Sequence, residues 1–244
     1  KVKFLDSEAF DFSQATGGVG YRASRHFDFL LANDKNFIGD GYRSLLLSDN
    51  TYSYPFFRIH MTFWKFRYSV YYMVLQNMRG GYDENIGYTK KYSTMHYLDV
   101  NIGKKNSLTV GIFEAVMWKP EATRGYELHY LNPIIFLRPV ENSVGSPDNA
   151  LLGTNIRWKL NSRNTLYAQL MLDELLLDEV RAGKGWWGNK QAFQLGYKSW
   201  NLFGVKQLNM QTEFNFVRPF TYAHRSNSQN YSNSNQPLAH PLGS

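Results

Sequence analysis

The side chains able to do chemistry are few, and their spacing is informative. His60, His96, His129, His224 and His240 fall at no metal-ligand spacing, so they read as scattered polar groups rather than a metal centre. There are no cysteines, which excludes a disulfide framework and any thiolate zinc site. Asp173-Glu174 and Asp178-Glu179 are acidic pairs. A glycosidase needs two carboxylates about 5–9 Å apart across a sugar, and adjacency along the chain does not supply that. Charge balance inside the fold explains them equally well. Gly17-Gly18-Val19-Gly20 lacks the strand–turn–helix setting of a phosphate loop, and no G-x-S-x-G supports acyl transfer. The reading is therefore a non-enzyme with no cofactor. Arginines beside aromatic residues remain. Arg43, Arg138, Arg181 and Arg218 could fork onto carboxylates of an acidic glycan, while Tyr42, Trp186, Trp187 and Tyr222 stack on sugar rings. Alternatively the same arginines pair with Asp40, Glu141, Asp173 and Glu213 and seal loops to the body of the fold.

What must position these residues is a set of strands. The chain is 16% aromatic, with 17 Tyr and 17 Phe, yet its mean hydropathy is −0.45, so its apolar groups must be confined to selected faces. From Phe57 the sequence alternates: Phe57, Ile59, Met61 and Phe63 against Arg58, His60 and Thr62. The same period of two runs through Phe66–Val74, Leu98–Ile102, Leu108–Ile112, Thr154–Leu160, Leu166–Leu172, Phe193–Tyr197 and Leu208–Phe216. Successive side chains on a strand point to opposite faces, so each segment has one apolar and one polar face. A soluble antiparallel sandwich alternates too. Two features favour a membrane barrel. The segments approach the length of about 9–11 residues that a tilted strand needs to cross a bilayer, and their polar face carries charges and amides strand after strand, as a hydrated interior would. Aromatic residues at Tyr52, Tyr54, Trp64, Tyr92, Trp118, Trp158, Trp186, Trp187 and Trp200 stand where interfacial girdles are expected. Short polar links at Trp64-Lys65, Gly103–Asn106 and Asn161–Asn164 read as hairpin turns. About eight good strands, with weaker ones around Val19 to Ala32, suffice for a small barrel or an arc of a larger one.

Three segments do not alternate: Phe37 to Asn50, Lys119 to Asn149 with four prolines and room for a short helix after Asn132-Pro133, and Leu175 to Gly188. Insertions of this length in a compact protein are functional or plugging elements. The Ser/Asn-rich stretch 226–236 reads as mobile. The longest apolar run, Val70 to Leu75, is far short of the roughly 20 residues of a spanning helix. Lys1-Val2-Lys3-Phe4 has no export signal, which suggests a mature or internal start. A net charge of +7 points to anionic partners without choosing among them. The organisation expected is one all-β domain over 1–244: an antiparallel transmembrane β-barrel, or a large arc of one, with long plugging loops.

Those loops carry a resemblance. Ile38 to Asp49 (IGDGYRSLLLSD) resembles a hallmark of a family of Bacteroidota outer-membrane proteins, the RemB-like gliding motility proteins grouped with the Wzi-like capsule assembly proteins. Tyr130–Pro133, Glu141–Asn149, Gln169–Glu174, Arg181–Trp187, Arg218–His224 and Gln236–Gly243 are further matching runs, so the resemblance extends over nearly the whole chain. It implies an outer-membrane β-barrel. Wzi-like members hold surface polysaccharide as lectins without catalysis, and RemB-like members serve gliding motility and cell-surface organisation. Family members are longer than 244 residues, which implies that an N-terminal region and the last strands lie outside this chain. The partners implied are outer-membrane lipid and lipopolysaccharide, surface polysaccharide and other envelope proteins of a motility or secretion assembly, with no nucleic acid.

Overall fold

The computed structural model describes residues 2–5, 9–12, 14–83, 87–119, 128–134, 148–173, 190–224, 226 and 228–243. They form an all-β protein with only short 3-10 turns as helix. Strands β1 (Val2–Leu5) and β2 (Ala9–Phe12) make a hairpin by themselves. Ten strands then follow one another in a single antiparallel sheet: β3 (Gly17–Arg22), β4 (Phe27–Asp34), β5 (Tyr54–Phe63), β6 (Phe66–Asp83), β7 (Gly87–Ile102), β8 (Leu108–Trp118), β9 (Asn149–Lys159), β10 (Asn164–Asp173), β11 (Lys190–Ser199) and β12 (Met210–Val217). Each pairs only with its chain neighbours, the meander that short hairpin links allow. The sheet is not closed into a barrel; among the described residues β3 and β12 are its edges. A last small hairpin joins β13 (Ser232–Asn233) to β14 (Gln236–Pro237).

The weak strands near the N-terminus are real: Val19 and Ala32 lie on β3 and β4, paired from Gly17↔Asn33 to Arg22↔Asp28. β7 begins at Gly87, eleven residues before the alternation becomes legible at Leu98. With β6 it forms a ribbon of 18 and 16 residues that shifts register between Asn77 and Tyr82.

The register sorts every strand into two faces. On one lie Phe29, Ile59, Phe66, Leu98, Val110, Ile156, Leu170, Leu195 and Phe214, with the rest of the alternating apolar residues. This face is open: Leu195 is 56%, Phe214 59% and Trp158 51% exposed. The other carries most of the polar residues, together with Phe56, Met73, Met95, Phe113 and Met171 of the buried core, and is covered. In β4, β5 and β9 to β12 every charged side chain takes the covered parity: Asp28, Asp34, Arg58, Arg157, Lys159, Asp173, Lys190, Lys198 and Glu213. Gln169, Gln194 and Asn155 there are at most 3% exposed. A water-soluble sheet usually turns its apolar residues in and its polar ones out; here charges and amides are turned in and a broad apolar surface is turned out.

One region of the outward face is covered. A 3-10 turn at Leu128–Leu131, followed by Asn132 to Ile134, packs across β6 to β8. The Thr94 hydroxyl donates to the Tyr130 carbonyl at 2.8 Å, and the Tyr72 and Tyr68 hydroxyls donate to the carbonyls of Leu131 and Pro133, each at 2.8 Å. Tyr130, fully buried, lies tilted against Trp118 at 5.5 Å, and Trp118 in turn stacks on Tyr92 at 4.9 Å. Two expectations change here. Described residues of the 119–149 insertion lie against the outward face instead of plugging the inside, and a 3-10 turn precedes Asn132, the span after Pro133 lying outside the described residues. Trp118 and Tyr92 are not girdle residues, because that turn takes the place of solvent over them. Tyr54, also expected in a girdle, has the covered parity and is 1% exposed. Trp64, Trp158, Trp200 and Tyr52 are exposed.

Trp118→Ala should cost about 3–5 kcal/mol, as loss of a fully buried indole does, and should open the 128–134 turn to protease. Trp158→Ala, at an exposed site, should cost under about 1 kcal/mol. Urea unfolding of both variants in detergent micelles checks the contrast.

Candidate functional site

The covered face is filled by two segments. The first runs from Asn36 to Thr51, between β4 and β5. Ile38 and Leu47 bridge at 2.9 Å, and Ser44 sits inside the turn. Its hydroxyl donates to the Ile38 carbonyl and accepts from the amides of Leu46 at 3.0 Å and Leu47 at 3.3 Å. This local bonding of a Ser side chain to nearby backbone is what lets a non-helical, non-strand segment be buried. Leu45, Leu46 and Leu47 are then fully buried in one cluster with Met73, Met95, Phe113, Leu151 and Met171.

Inward amides of the sheet hold this segment's backbone. Asn155, Gln169, Gln194 and Asn215 stand opposite one another in a row across β9 to β12. The Gln169 Oε1 accepts the Leu45 amide at 2.8 Å, while its Nε2 donates to the Ile38 carbonyl at 3.2 Å and to Asn155 Oδ1 at 3.0 Å. Gln194 Nε2 donates to the Arg43 carbonyl at 2.8 Å and to Asn215 Oδ1 at 2.7 Å. Glu213 Oε2 accepts the Tyr42 amide and the Tyr167 hydroxyl, both at 2.8 Å. Glycine is required at two points of approach. Gly39 has φ +148° and a side chain there would run into Gln169; at Gly41 a Cβ would collide with the Glu213 carboxylate. Asp40 lies between them, within 3.3 Å of Asn155 Nδ2 and 3.4 Å of Arg157.

The second segment, 218–243, covers the first. Tyr222 donates to the Leu45 carbonyl at 3.2 Å, and the Tyr231 hydroxyl donates to that of Leu46. The Ser48 amide reaches the Leu238 carbonyl at 2.7 Å, and Asn50, Thr51 and Asn233 add side-chain bonds between the two segments. Lys91, 1% exposed, donates to the Asn230 carbonyl at 2.7 Å and to Ser232 Oγ at 3.0 Å. Lys190 bonds the Ala223 carbonyl at 2.7 Å and lies 3.3 Å from Asp173. Burial raises both tyrosine hydroxyls well above the usual range, so they stay protonated donors. Burial lowers the His240 imidazole, with Glu213 pulling the other way and Arg43 adding to the fall. A neutral His240 thus favours the docked state at and above neutral pH, and that contribution is lost as pH falls through its depressed pKa.

The sugar-binding set proposed from sequence is divided by this geometry. Tyr42 is 71% exposed, with the Arg43 guanidinium 4.7 Å above its ring and 3.5 Å from Asp49. Arg218 sits in the turn after β12, its amide donating to the Gln191 carbonyl at 3.1 Å. Tyr222 leaves the set: at 2% exposure it has no ring face for a sugar, because the second segment has folded it into the core. Arg138, Arg181, Trp186 and Trp187 lie outside the described residues, as do Glu141 and the rest of Leu175–Gly188. Asp40 and Glu213 do seal a segment to the sheet, Asp40 with Arg157 and Glu213 with the Tyr42 amide and the Tyr167 hydroxyl, while Asp173 lies against Lys190 of the neighbouring strand. The 226–236 stretch is not mobile where described: Tyr231 is fully buried and Asn233 nearly so, since asparagines bonded to neighbouring backbone make a polar segment buriable. Sequence reasoning passed over Arg58, Arg67 and Arg157, whose signal was their place on the polar side of an alternating strand. Among the described residues no three His, Asp or Glu side chains gather as a metal site would require.

Compared with known proteins, the chain matches no family model, no curated protein and no solved structure. The likeness to Wzi-like and RemB-like proteins rests on the sequence runs alone.

Gln169→Leu should leave the Leu45 amide and the Ile38 carbonyl without that partner, at about 1–3 kcal/mol each. The expected outcome is hydrogen exchange at Leu45 to Leu47 faster by about 100-fold, with the strand amides of β9 to β11 little changed.

Proposed function

We propose that this chain is the plugged part of an outer-membrane β-barrel that holds surface polysaccharide at the cell without catalysis. The observation that carries the membrane assignment is the sheet's outward apolar face. An apolar surface running unbroken over β9 to β12 is far larger than a soluble monomer tolerates, and it is what lipid requires. No helix among the described residues is long and apolar enough to cross a membrane; in the proposed barrel the strands do the crossing. In hydrocarbon no strand edge can be left unpaired; β3 and β12 must therefore find partner strands, which completes the ring.

Orientation follows from the links. The turns after β3, β5, β7 and β9 are short and that after β11 is intermediate, whereas on the other side the connections after β4, β8, β10 and β12 are long and only the extended β6–β7 ribbon has a short one; outer-membrane barrels keep short turns on the periplasmic side. The filled covered face argues against a diffusion channel. The Tyr42–Arg43 pair offers an aromatic face and a guanidinium together, the pairing that suits an acidic sugar, and the resemblance to Wzi-like proteins points to the same ligand.

Two measurements test this. Phe214→Asp and Leu195→Asp should each lower folding into vesicles, by about 2 kcal/mol or more at mid-membrane; folding unaffected by both would refute lipid contact. Gentle detergent extraction followed by sizing and sugar analysis should then yield the chain with bound acidic polysaccharide, which Trp186→Ala with Trp187→Ala, or Arg43→Ala, weakens about tenfold. Extraction without detergent would sink the barrel. Co-migration with several envelope proteins and no sugar would make the chain a scaffold of a motility or secretion assembly instead.

A further inference from the structure

A cavity of about 400 Å³ lies on the covered face, between the Lys35–Asp40 segment and strands β5, β6, β7 and β9. Lys35, Arg58, Arg67 and Arg157 line it with His60, and Asp40 is the one carboxylate among the described residues of its wall. The guanidinium groups differ in how far they are committed. Arg67 donates twice to Asp99, at 2.6 and 2.9 Å. Arg157 divides itself between the Thr109 hydroxyl at 2.9 Å and Asp40 at 3.4 Å. Arg58 is held by neither arrangement. Its nearest carboxylate oxygen, on Asp28, is 3.8 Å away, its buried Nε has no acceptor, and its side chain is 23% exposed. A guanidinium carries five donors and cannot shed its charge. Withdrawn from water without acceptors it is costly, and an oxyanion in the cavity relieves that cost.

The remaining wall narrows the class of anion. Tyr71, Tyr97 and Phe37 contribute ring surface, and Ser69 and Asn155 contribute small polar groups. The volume falls at the small end of ligand sites and suits one sugar ring. Asp40, close to Arg157 and Asn155, disfavours a second negative charge on that side and suits a hydroxyl donor.

We propose that this cavity binds one carboxylate-bearing sugar unit of the hexuronate class, its carboxylate on Arg58 and its hydroxyls toward Asp40, Asn155 and Ser69. None of the loop residues assigned above to polysaccharide takes part. The proposal rests on the glycan-holding function only for the source of the sugar; recognition by the cavity stands on its own charge and shape. A bound unit ties Lys35–Asp40 to β5 and β9, so occupancy stabilises the docked segment.

Isothermal titration of the full chain in detergent micelles tests it, with glucuronate, glucose and inorganic phosphate as probes. Glucuronate should bind saturably, glucose should give no binding heat, and phosphate should bind about tenfold more weakly. Arg58→Gln should weaken glucuronate about tenfold or more at unchanged circular dichroism. Lys35→Gln, at an exposed rim position, should weaken it about threefold and keeps the test valid where Arg58→Gln folds poorly. Glucose binding as well as glucuronate, phosphate binding more tightly than glucuronate, or wild-type affinity in both variants would overturn the proposal. Glucuronate binding without retention of capsular polymer supports the cavity and sinks the function proposed above; polymer retention without glucuronate binding does the reverse.

Discussion

The grip of the Gln169 amide on the Ile38–Leu47 turn is the interaction on which the rest of the covered face depends. A sheet whose polar side is enclosed must satisfy each buried donor and acceptor there. Side chains opposite one another on the same face cannot do this alone, because each carboxamide in the row bonds its neighbour with one group and has others directed off the row. The turn supplies what is missing, a carbonyl at Ile38 and an amide at Leu45 on either side of one glutamine. Once it is seated, the three leucines beyond it close an apolar cluster, and the tyrosines of the C-terminal segment find their acceptors on Leu45 and Leu46. Each layer is thus the hydrogen-bonding complement of the one beneath.

The covered face is consequently divided into two zones. Toward the long connections it is apolar beneath the leucines, with Phe56, Met73, Met95, Met171 and Ala192, and is bordered by the buried Lys91 and the Asp173–Lys190 pair. Toward the short turns it is charged, with Arg58, Arg67, Asp99 and Arg157. The boundary falls at Gly39 and Gly41, where the segment passes closest to the sheet. A single stretch of a dozen residues therefore both packs like a protein core and borders a polar chamber.

How much of this could be read from the sequence depends on what each feature asks of a residue. Alternation reports face, so β5, β9, β10 and β11 were legible. It fails in the first half of β7, where His96 and Thr94 take the outward parity because the Tyr130 turn, not lipid or water, lies over them. Register is invisible to a period of two, so the row Asn155–Gln169–Gln194–Asn215 and the isolation of Arg58 emerge only when strands are aligned. Tyr222 and Tyr231 mislead for a different reason. A tyrosine in a polar setting looks the same whether its ring meets a sugar or its hydroxyl meets a buried carbonyl. Ser/Asn-rich composition, read as mobility, equally describes a segment whose side chains replace secondary structure in satisfying backbone groups.

The unequal strand lengths carry a consequence of their own. At about 3.4 Å per residue an 18-residue strand reaches roughly 60 Å, against about 30 Å of hydrocarbon. In the proposed setting β6 and β7 cannot be contained by the bilayer, and they rise from its outer side as a paired mast. The Tyr130 turn does not ride on that mast: it is clasped to Tyr68 and Tyr72 on the lower part of β6, and so lies against the wall at the depth of the lipid.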